Sequence, residues 1–287
     1  MYNYADDNTI SCTHPNLSIV KSSLEQQSLI AIKWFENNSM QANPEKFQSI
    51  VFTHKGKSVS EEFYFEIGNT HIKPTGCVKL LGIEIDASLT FTDHISTLSK
   101  KASNKISALG RISKNITLKR RLNIFSAFIS SNFMYAPLVW HLCGNSNTKK
   151  MEKLNEKALR IVFNDYCSSY CELLQRSSRS SLFIQRVQLL MTEVFKTVNG
   201  WSSPLTSDLF LLANEQHNTR SKNILIQPTF STQGYGFNSI SYQGAKYWNA
   251  LPNSYKVIST VNNFKTVISK WQGPICNCRT CLPCIFR

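Results

Sequence analysis

Tyr4-Ala5-Asp6-Asp7 opens a chain of 287 residues, and the reading of this tetrapeptide decides the fold assigned around it. Adjacent carboxylates repel, so a tight turn that presents both gains little from packing unless a cation sits between them. A divalent cation meets that need, and Mg2+ is held in this way by one or two carboxylates together with substrate phosphates. The competing reading is a solvated turn, because Asp-Asp followed by Asn8 also suits an exposed loop. Around the pair, Tyr2 to Cys12 reads as a hairpin. Leu17 to Glu36 reads as a helix with Leu24, Ile30, Ile32 and Trp34 on a broad apolar face, ended by Asn37-Asn38. Strand-like runs follow at Phe47 to Thr53, Phe63 to Ile67 and Cys77 to Ile85, with Gly68-Asn69 as a turn. Residues 1–91 are therefore expected to form a mixed sheet backed by a helix.

From Thr92 the apolar period lengthens. Ile95, Leu98, Ala102, Ile106 and Leu109 recur every three or four residues, as do Leu118, Leu122, Phe125, Phe128 and Ile129 up to Pro137. Met151, Leu154, Ala158, Ile161 and Val162 repeat the pattern, and Val187, Leu190, Met191, Val194, Phe195 and Val198 make a further helix closed by Gly200. Residues 92–200 are expected to be a helical bundle. In residues 201–287, Pro204, Pro228, Gly234, Gly236 and Pro252 break short segments, and Phe264, Val267, Ile268 and Trp271 suggest one last helix with Thr260 as its N-cap. The fold class is α+β.

Charge divides the chain unevenly. Residues 1–100 hold 8 basic and 11 acidic side chains, whereas residues 101–287 hold 24 and 7, so the net +14 comes from the second part. That part is the candidate for a polyanionic partner. No apolar run approaches the ~18 residues that a membrane-spanning helix needs. The N-terminus lacks the basic and apolar sections of a secretory signal. The expectation is a soluble intracellular protein, cytoplasmic or nuclear, in which the nine cysteines are thiols or metal ligands rather than disulfides. Cys12, Cys77, Cys143, Cys167 and Cys171 are scattered among apolar residues as small core side chains.

The order of several short motifs resembles the reverse transcriptases of non-LTR (LINE-type, jockey-like) retrotransposons. Tyr4-Ala5-Asp6-Asp7 resembles their catalytic hairpin, and Asn43-Pro44-Glu45-Lys46 the next palm motif. Val78-Lys79-Leu80-Leu81-Gly82-Ile83-Glu84-Ile85-Asp86, with Leu89 and His94, resembles the segment that grips the primer end. Thr219-Arg220-Ser221, the run from Gly244 to Pro252, and Phe264-Lys265 are similar to the C-terminal region of these proteins. The resemblance implies a truncated palm over residues 1–91, with mixed sheet and helix, a helical thumb over 92–200, and an irregular, Cys-ended extension over 201–287. It also implies RNA-templated addition of deoxynucleotides to a primer 3'-hydroxyl, with an RNA template, a DNA primer and their duplex as partners. Asp6 and Asp7 would hold Mg2+, and Lys46 would protonate departing pyrophosphate. The family places a third carboxylate upstream of the hairpin, where this chain has only Met1, Tyr2 and Asn3; Glu45, Glu84 and Asp86 are the nearby carboxylates in sequence. The chain is accordingly expected to be catalytically incomplete, the C-terminal part of such an enzyme.

Beside that resemblance, the residues support readings of their own. Leu80, Leu81 and Gly82 suit close approach to a nucleic-acid backbone, because glycine lets backbone come near, although a glycine bulge reads the same way. Lys100, Lys101, Lys105, Arg111, Lys114, Lys119, Arg120 and Arg121 are opposed between Thr92 and Phe125 only by Asp93, and suit contact with phosphates by shape and charge. Cys276, Cys278, Cys281 and Cys284 are enough in number for a tetrahedral Zn2+ site, although the Cys-x-Cys start is tighter than usual zinc spacing. The alternative to a polymerase part is a non-enzymatic RNA- or DNA-binding protein derived from such an element.

Overall fold

The hairpin around the carboxylate pair forms: β1 (Tyr2–Tyr4) and β2 (Asp7–Thr9) pair antiparallel, with Tyr4 opposite Asp7. The computed structural model describes residues 1–5, 7–53, 59–141, 143–213, 224–230 and 236–273. Asp6, Thr219-Arg220-Ser221 and the four tail cysteines lie outside the described residues. The chain divides into two compact units, residues 1–94 and 95–287.

In the first unit, α1 (Leu17–Asn37) starts where the Asn16 side chain accepts the Ser18 N–H at 2.8 Å, which satisfies one of the helix's free donors. It docks through a polar edge. Glu25 accepts the backbone N–H of Glu66 at 2.7 Å, and the Lys21 ammonium lies 4.5 Å from the centre of the Tyr64 ring. Ile30 and Trp34, expected on the apolar face, are exposed.

The strands correct the expectation of a mixed sheet. Among the described residues there are three separate antiparallel hairpins: β1 with β2, β3 (Phe65–Ile67) with β4 (Thr70–Ile72), and β5 (Cys77–Leu80) with β6 (Ile83–Asp86). Residues 47–53 make one isolated bridge, Ser49 to Pro74, after a 3-10 turn over Pro44–Lys46. The expected strand from Cys77 to Ile85 folds back because Leu81 and Gly82 both take positive φ, +46° and +82°. A two-residue turn of that hand matches the twist of a hairpin, and glycine enters it without steric cost. Asp86 then organises the exit loop, its carboxylate accepting the N–H groups of Ser88 (3.1 Å), Thr90 (3.0 Å) and Phe91 (2.6 Å). Phe65, Ile72, Ile83 and Phe91 are this unit's buried apolar residues.

The second unit is helical. In α2 (Thr92–Ile112), Ile95, Leu98, Ala102, Ile106 and Leu109 are buried, as their period requires. A 3-10 turn over Ser113–Asn115 leads to α3 (Leu118–Ile124), which runs through a π turn at Phe125–Ser130 into α4 (Ser131–Phe133). Across the π turn Phe125, Ile129 and Phe133 are buried, whereas Phe128, expected on the same face, is exposed; Leu118, at the start of α3, is exposed as well. Then follow α5 (Asn145–Phe163), α6 (Tyr170–Arg176) with a Ser169/Glu172 capping box, and α7 (Leu182–Val198), after which Gly200 takes φ +73°. Of the five described cysteines only Cys143 is buried, so the others are not the core side chains expected; all five are free thiols.

After the short α8 (Pro204–Ser207), a Leu212–Leu225 bridge precedes α9 (Ile240–Asn249), α10 (Asn253–Lys256) and α11 (Val261–Ile268), the last capped by Thr260. α9 and α11 share one core with α7: Phe195 stacks on Phe264 with ring centres 4.1 Å apart, and Trp248 is wholly buried. The run from Gly244 to Pro252 is thus a packing motif here. Tyr247 and Trp248 face the core, and the Asn249 side chain exchanges two 2.9 Å hydrogen bonds with the Leu225 backbone, as a strand partner would. A Cβ at Gly244 would lie 2.3 Å from Cε1 of Phe210 and 3.1 Å from Cγ2 of Val194. Gly244→Ala is therefore expected to destabilise this unit by about 1–3 kcal/mol through overpacking, read as a lower urea midpoint; an unchanged midpoint would mean that Phe210 moves freely aside. Among the described residues, no helix is long and apolar enough to cross a membrane.

Candidate nucleic-acid interface

Asp7 follows the two-residue loop of the first hairpin, where Ala5 takes φ +52°. Its carboxylate is exposed and makes no hydrogen bond among the described residues, so it is open to a hard cation. Among the described residues, which omit Asp6, no group of three His, Cys, Asp or Glu is placed to hold a metal ion. Asp86 is committed to its loop, and Glu45 contributes its N–H to the Asn43 side chain in the 3-10 turn that ends at Lys46. Lys46 is exposed. Leu80, Leu81 and Gly82 form the turn of the β5–β6 hairpin, with Leu81 exposed at its tip.

The eight cations of the helical stretch divide into two sets. Lys100, Lys101 and Arg111 on α2, Lys114 in the following turn, and Lys119 and Arg120 on α3 are exposed. Lys100 and Arg111 stand opposite the buried stripe of α2, since eleven residues are close to three full turns at 3.6 residues per turn. Lys105 and Arg121 have structural partners. The Lys105 ammonium donates to Oδ1 of Asn132 at 2.9 Å, and the half-buried Arg121 guanidinium reaches the Ile161 carbonyl at 3.5 Å near the end of α5. Exposed cations of α2 that stand opposite its buried stripe can meet phosphates without disturbing the core.

Three groups carried no signal in the sequence. The Glu152 carboxylate, buried in α5, accepts the N–H of Phe183 at 2.7 Å and of Leu182 at 3.2 Å, and the Tyr170 hydroxyl at 2.5 Å. Burial pushes its pKa up, against those hydrogen bonds. Arg186 is 1% exposed, with its Nε donating to Nδ1 of His141 at 3.3 Å and its guanidinium 4.9 Å from the Trp140 ring. Burial, with the Arg186 charge second, pushes His141 down to about 3. This centre links α5, α6 and α7.

The chain is 23% identical over 162 residues, 55% of its length, to the RNA-directed DNA polymerase from mobile element jockey of Drosophila melanogaster. It is 23% identical over 175 residues, 60% of its length, to the probable RNA-directed DNA polymerase from transposon X-element of the same organism. A third relative, the probable RNA-directed DNA polymerase from transposon BS, is 20% identical over 162 residues. The resemblance to non-LTR retrotransposon reverse transcriptases therefore holds at the level of sequence. The matches take in 17 to 18% of those proteins, so the chain spans less than a fifth of the length of the curated relatives it matches. No protein-family model and no solved structure matches it.

Proposed function

We propose, from its relation to the RNA-directed DNA polymerases of non-LTR retrotransposons, that this chain is a C-terminal part of such a polymerase and holds its template and primer. The observation that carries this reading is the run of exposed cations Lys100, Lys101, Arg111, Lys114, Lys119 and Arg120, none of which forms an ion pair among the described residues, following the buried stripe of α2 along the chain. The first unit would be the edge of the palm and the helices from α2 onward a thumb. Backbone phosphates of an RNA–DNA duplex would lie along the basic face, bound by charge and shape.

Mg2+ would be held by Asp6 and Asp7, and the exposed, unengaged Asp7 carboxylate fits that donor set. Bound there, it would lower the pKa of a primer hydroxyl and neutralise phosphate charge. The chain's own residues would orient the partners: the Leu80-Leu81-Gly82 turn against the primer backbone, and the Lys46 ammonium as a proton source for the leaving group. These 287 residues alone would bind duplex and extend no primer, because a two-metal site takes a further carboxylate beyond one adjacent pair.

Duplex binding by fluorescence anisotropy, titrated with salt, tests the reading. Affinity for an RNA–DNA duplex is expected to fall steeply between about 50 and 200 mM salt, and Lys100→Ala to reduce the slope of log affinity against log salt by about one. Binding indifferent to salt would remove the proposal. Asp7→Ala is expected to leave binding unchanged. Primer extension by the unaltered chain that Asp7→Ala abolishes would make the chain a polymerase in its own right. Salt-sensitive binding with no extension in either form is the expected outcome and also suits a non-enzymatic binding protein derived from such an element.

A further inference from the structure

The π turn at Phe125–Ser130 is held from both sides by cations. The Arg179 guanidinium donates to Oγ of Ser130 at 3.0 Å and to Oγ of Ser126 at 2.7 Å, while its Cζ lies 5.2 Å from the centre of the Phe125 ring. On the other side the Lys105 ammonium donates to Asn132, whose Nδ2 in turn donates to the carbonyls of Phe128 and Ile129. Ser126 and Ser131 donate their hydroxyls to the carbonyls of Leu122 (2.8 Å) and Ala127 (2.6 Å). A widened turn leaves backbone carbonyls in need of donors, and here side chains supply several of them. Ser126, Ser131 and Asn132 thus supply donors to the carbonyls of this turn, with Arg179 and Lys105 holding those side chains in place.

What this turn accomplishes is the display of one ring. Phe125, Ile129 and Phe133 fill the core, and Phe128, on the same helix, is 60% exposed. Exposing a phenyl forgoes its burial energy, and no ring contact among the described residues accounts for its position. The surroundings are cationic: the Lys105 ammonium is hydrogen-bonded to the side chain that sits on the Phe128 carbonyl, Lys101 is one turn away on α2, and Arg120 about two turns earlier on the ring's own helix. No acidic residue lies between Asp93 and Glu152 to offset them. An apolar partner surface would gain nothing from that charge, whereas a strand of nucleic acid offers a flat base to the ring and phosphates to the ammonium groups.

We propose that Phe128 is a stacking platform for an unpaired base, so that this face binds single-stranded RNA or DNA, with Lys101, Lys105 and Arg120 along its phosphates. The inference rests on the nucleic-acid reading above and adds to it a residue and a substrate class. Phe128→Ala and Phe128→Trp in the full chain are to be compared with the unaltered protein, using a fluorescein-labelled uridine oligonucleotide and a blunt RNA–DNA duplex. Phe128→Ala is expected to weaken single-strand binding about tenfold, with the salt slope unchanged because a ring releases no counterions, and to weaken blunt-duplex binding much less. Phe128→Trp is expected to keep or improve single-strand affinity. Because the ring is exposed, neither change is expected to move the thermal midpoint. If Phe128→Ala bound the oligonucleotide as tightly as the unaltered chain while salt still weakened both, the stacking role would fall and the proposed function would stand. If the unaltered chain bound neither probe, both would fall. If nucleic-acid binding were unchanged and Phe128→Ala instead abolished self-association in light scattering, the ring would be a protein contact and the inference would be wrong.

Discussion

Lowering the pH from about 6.5 to about 3 is expected to destabilise the helical unit by roughly 4 kcal/mol through His141 alone. The imidazole is wholly buried, its Nδ1 accepts the Nε–H of Arg186, and its ring leans on Phe183 with centres 5.4 Å apart. Burial first, and the guanidinium charge second, hold its pKa down at about 3 against an ordinary 6.5. Between those values the unfolded chain binds a proton that the folded chain refuses, so stability rises with pH across the window and is lost as pH falls through it. Glu152 acts in the opposite sense. Its folded pKa is raised above 4.5, so its share of stability declines as pH rises from that value, and it partly offsets His141 where the windows overlap. Urea midpoints measured from about pH 7 down to about pH 4 in the unaltered chain and in His141→Asn separate the two. Asparagine offers an acceptor to Arg186 and does not titrate, so the acid limb is expected to flatten. An equally steep limb in both proteins would place the acid sensitivity elsewhere.

Glu152→Ala is expected to cost about 3–5 kcal/mol, enough to unfold the second unit at moderate temperature. The side chain is buried 30 and 31 residues before its backbone donors, Leu182 and Phe183, in the first turn of α7. Removing it leaves those two N–H groups and the Tyr170 hydroxyl without their acceptor and deprives the buried Arg186 of a compensating negative charge. The positive end of the α7 dipole loses its anion in the same step. Glu152→Gln is expected to cost less, since an amide oxygen still serves one N–H, while its NH2 would face donors. A denaturation midpoint by circular dichroism that drops by less than about 1 kcal/mol for Glu152→Ala would show that Ser181 and water replace the carboxylate.

Periodicity made most helices legible. The stripe of Ile95, Leu98, Ala102, Ile106 and Leu109 is buried as read, and Thr260 caps the last helix by accepting the Asn263 N–H at 3.3 Å. The π turn was not legible, because a hydrophobic residue at Phe128 extends an ordinary helical period; the donors that stabilise the wider turn come from Arg179 and Lys105, 53 and 27 residues from their acceptors. The same distance hid the division of the cations. Lys100 and Lys105 look alike in sequence, yet Lys105 carries a structural hydrogen bond and Lys100 makes none among the described residues. In the first unit, alternation suggested one continuous strand over residues 77–85, and what it missed was the positive φ at Leu81, a position that leucine rarely takes.

The resemblance to RNA-directed DNA polymerases, the order of the main helices, several of their caps and the concentration of positive charge after residue 100 were legible in the residues alone. Those properties are local or additive: helical spacing is set within a turn or two, and charge is a sum over residues. Tertiary packing brings Glu152, Arg186 and His141 into one buried centre, puts Gly244, Ala245, Tyr247, Trp248 and Leu251 in the core, and leaves Phe128 outside it. Each of those outcomes depends on which buried polar or apolar group finds a partner tens of residues away. A burial penalty of that kind is felt only once the helices have closed around it.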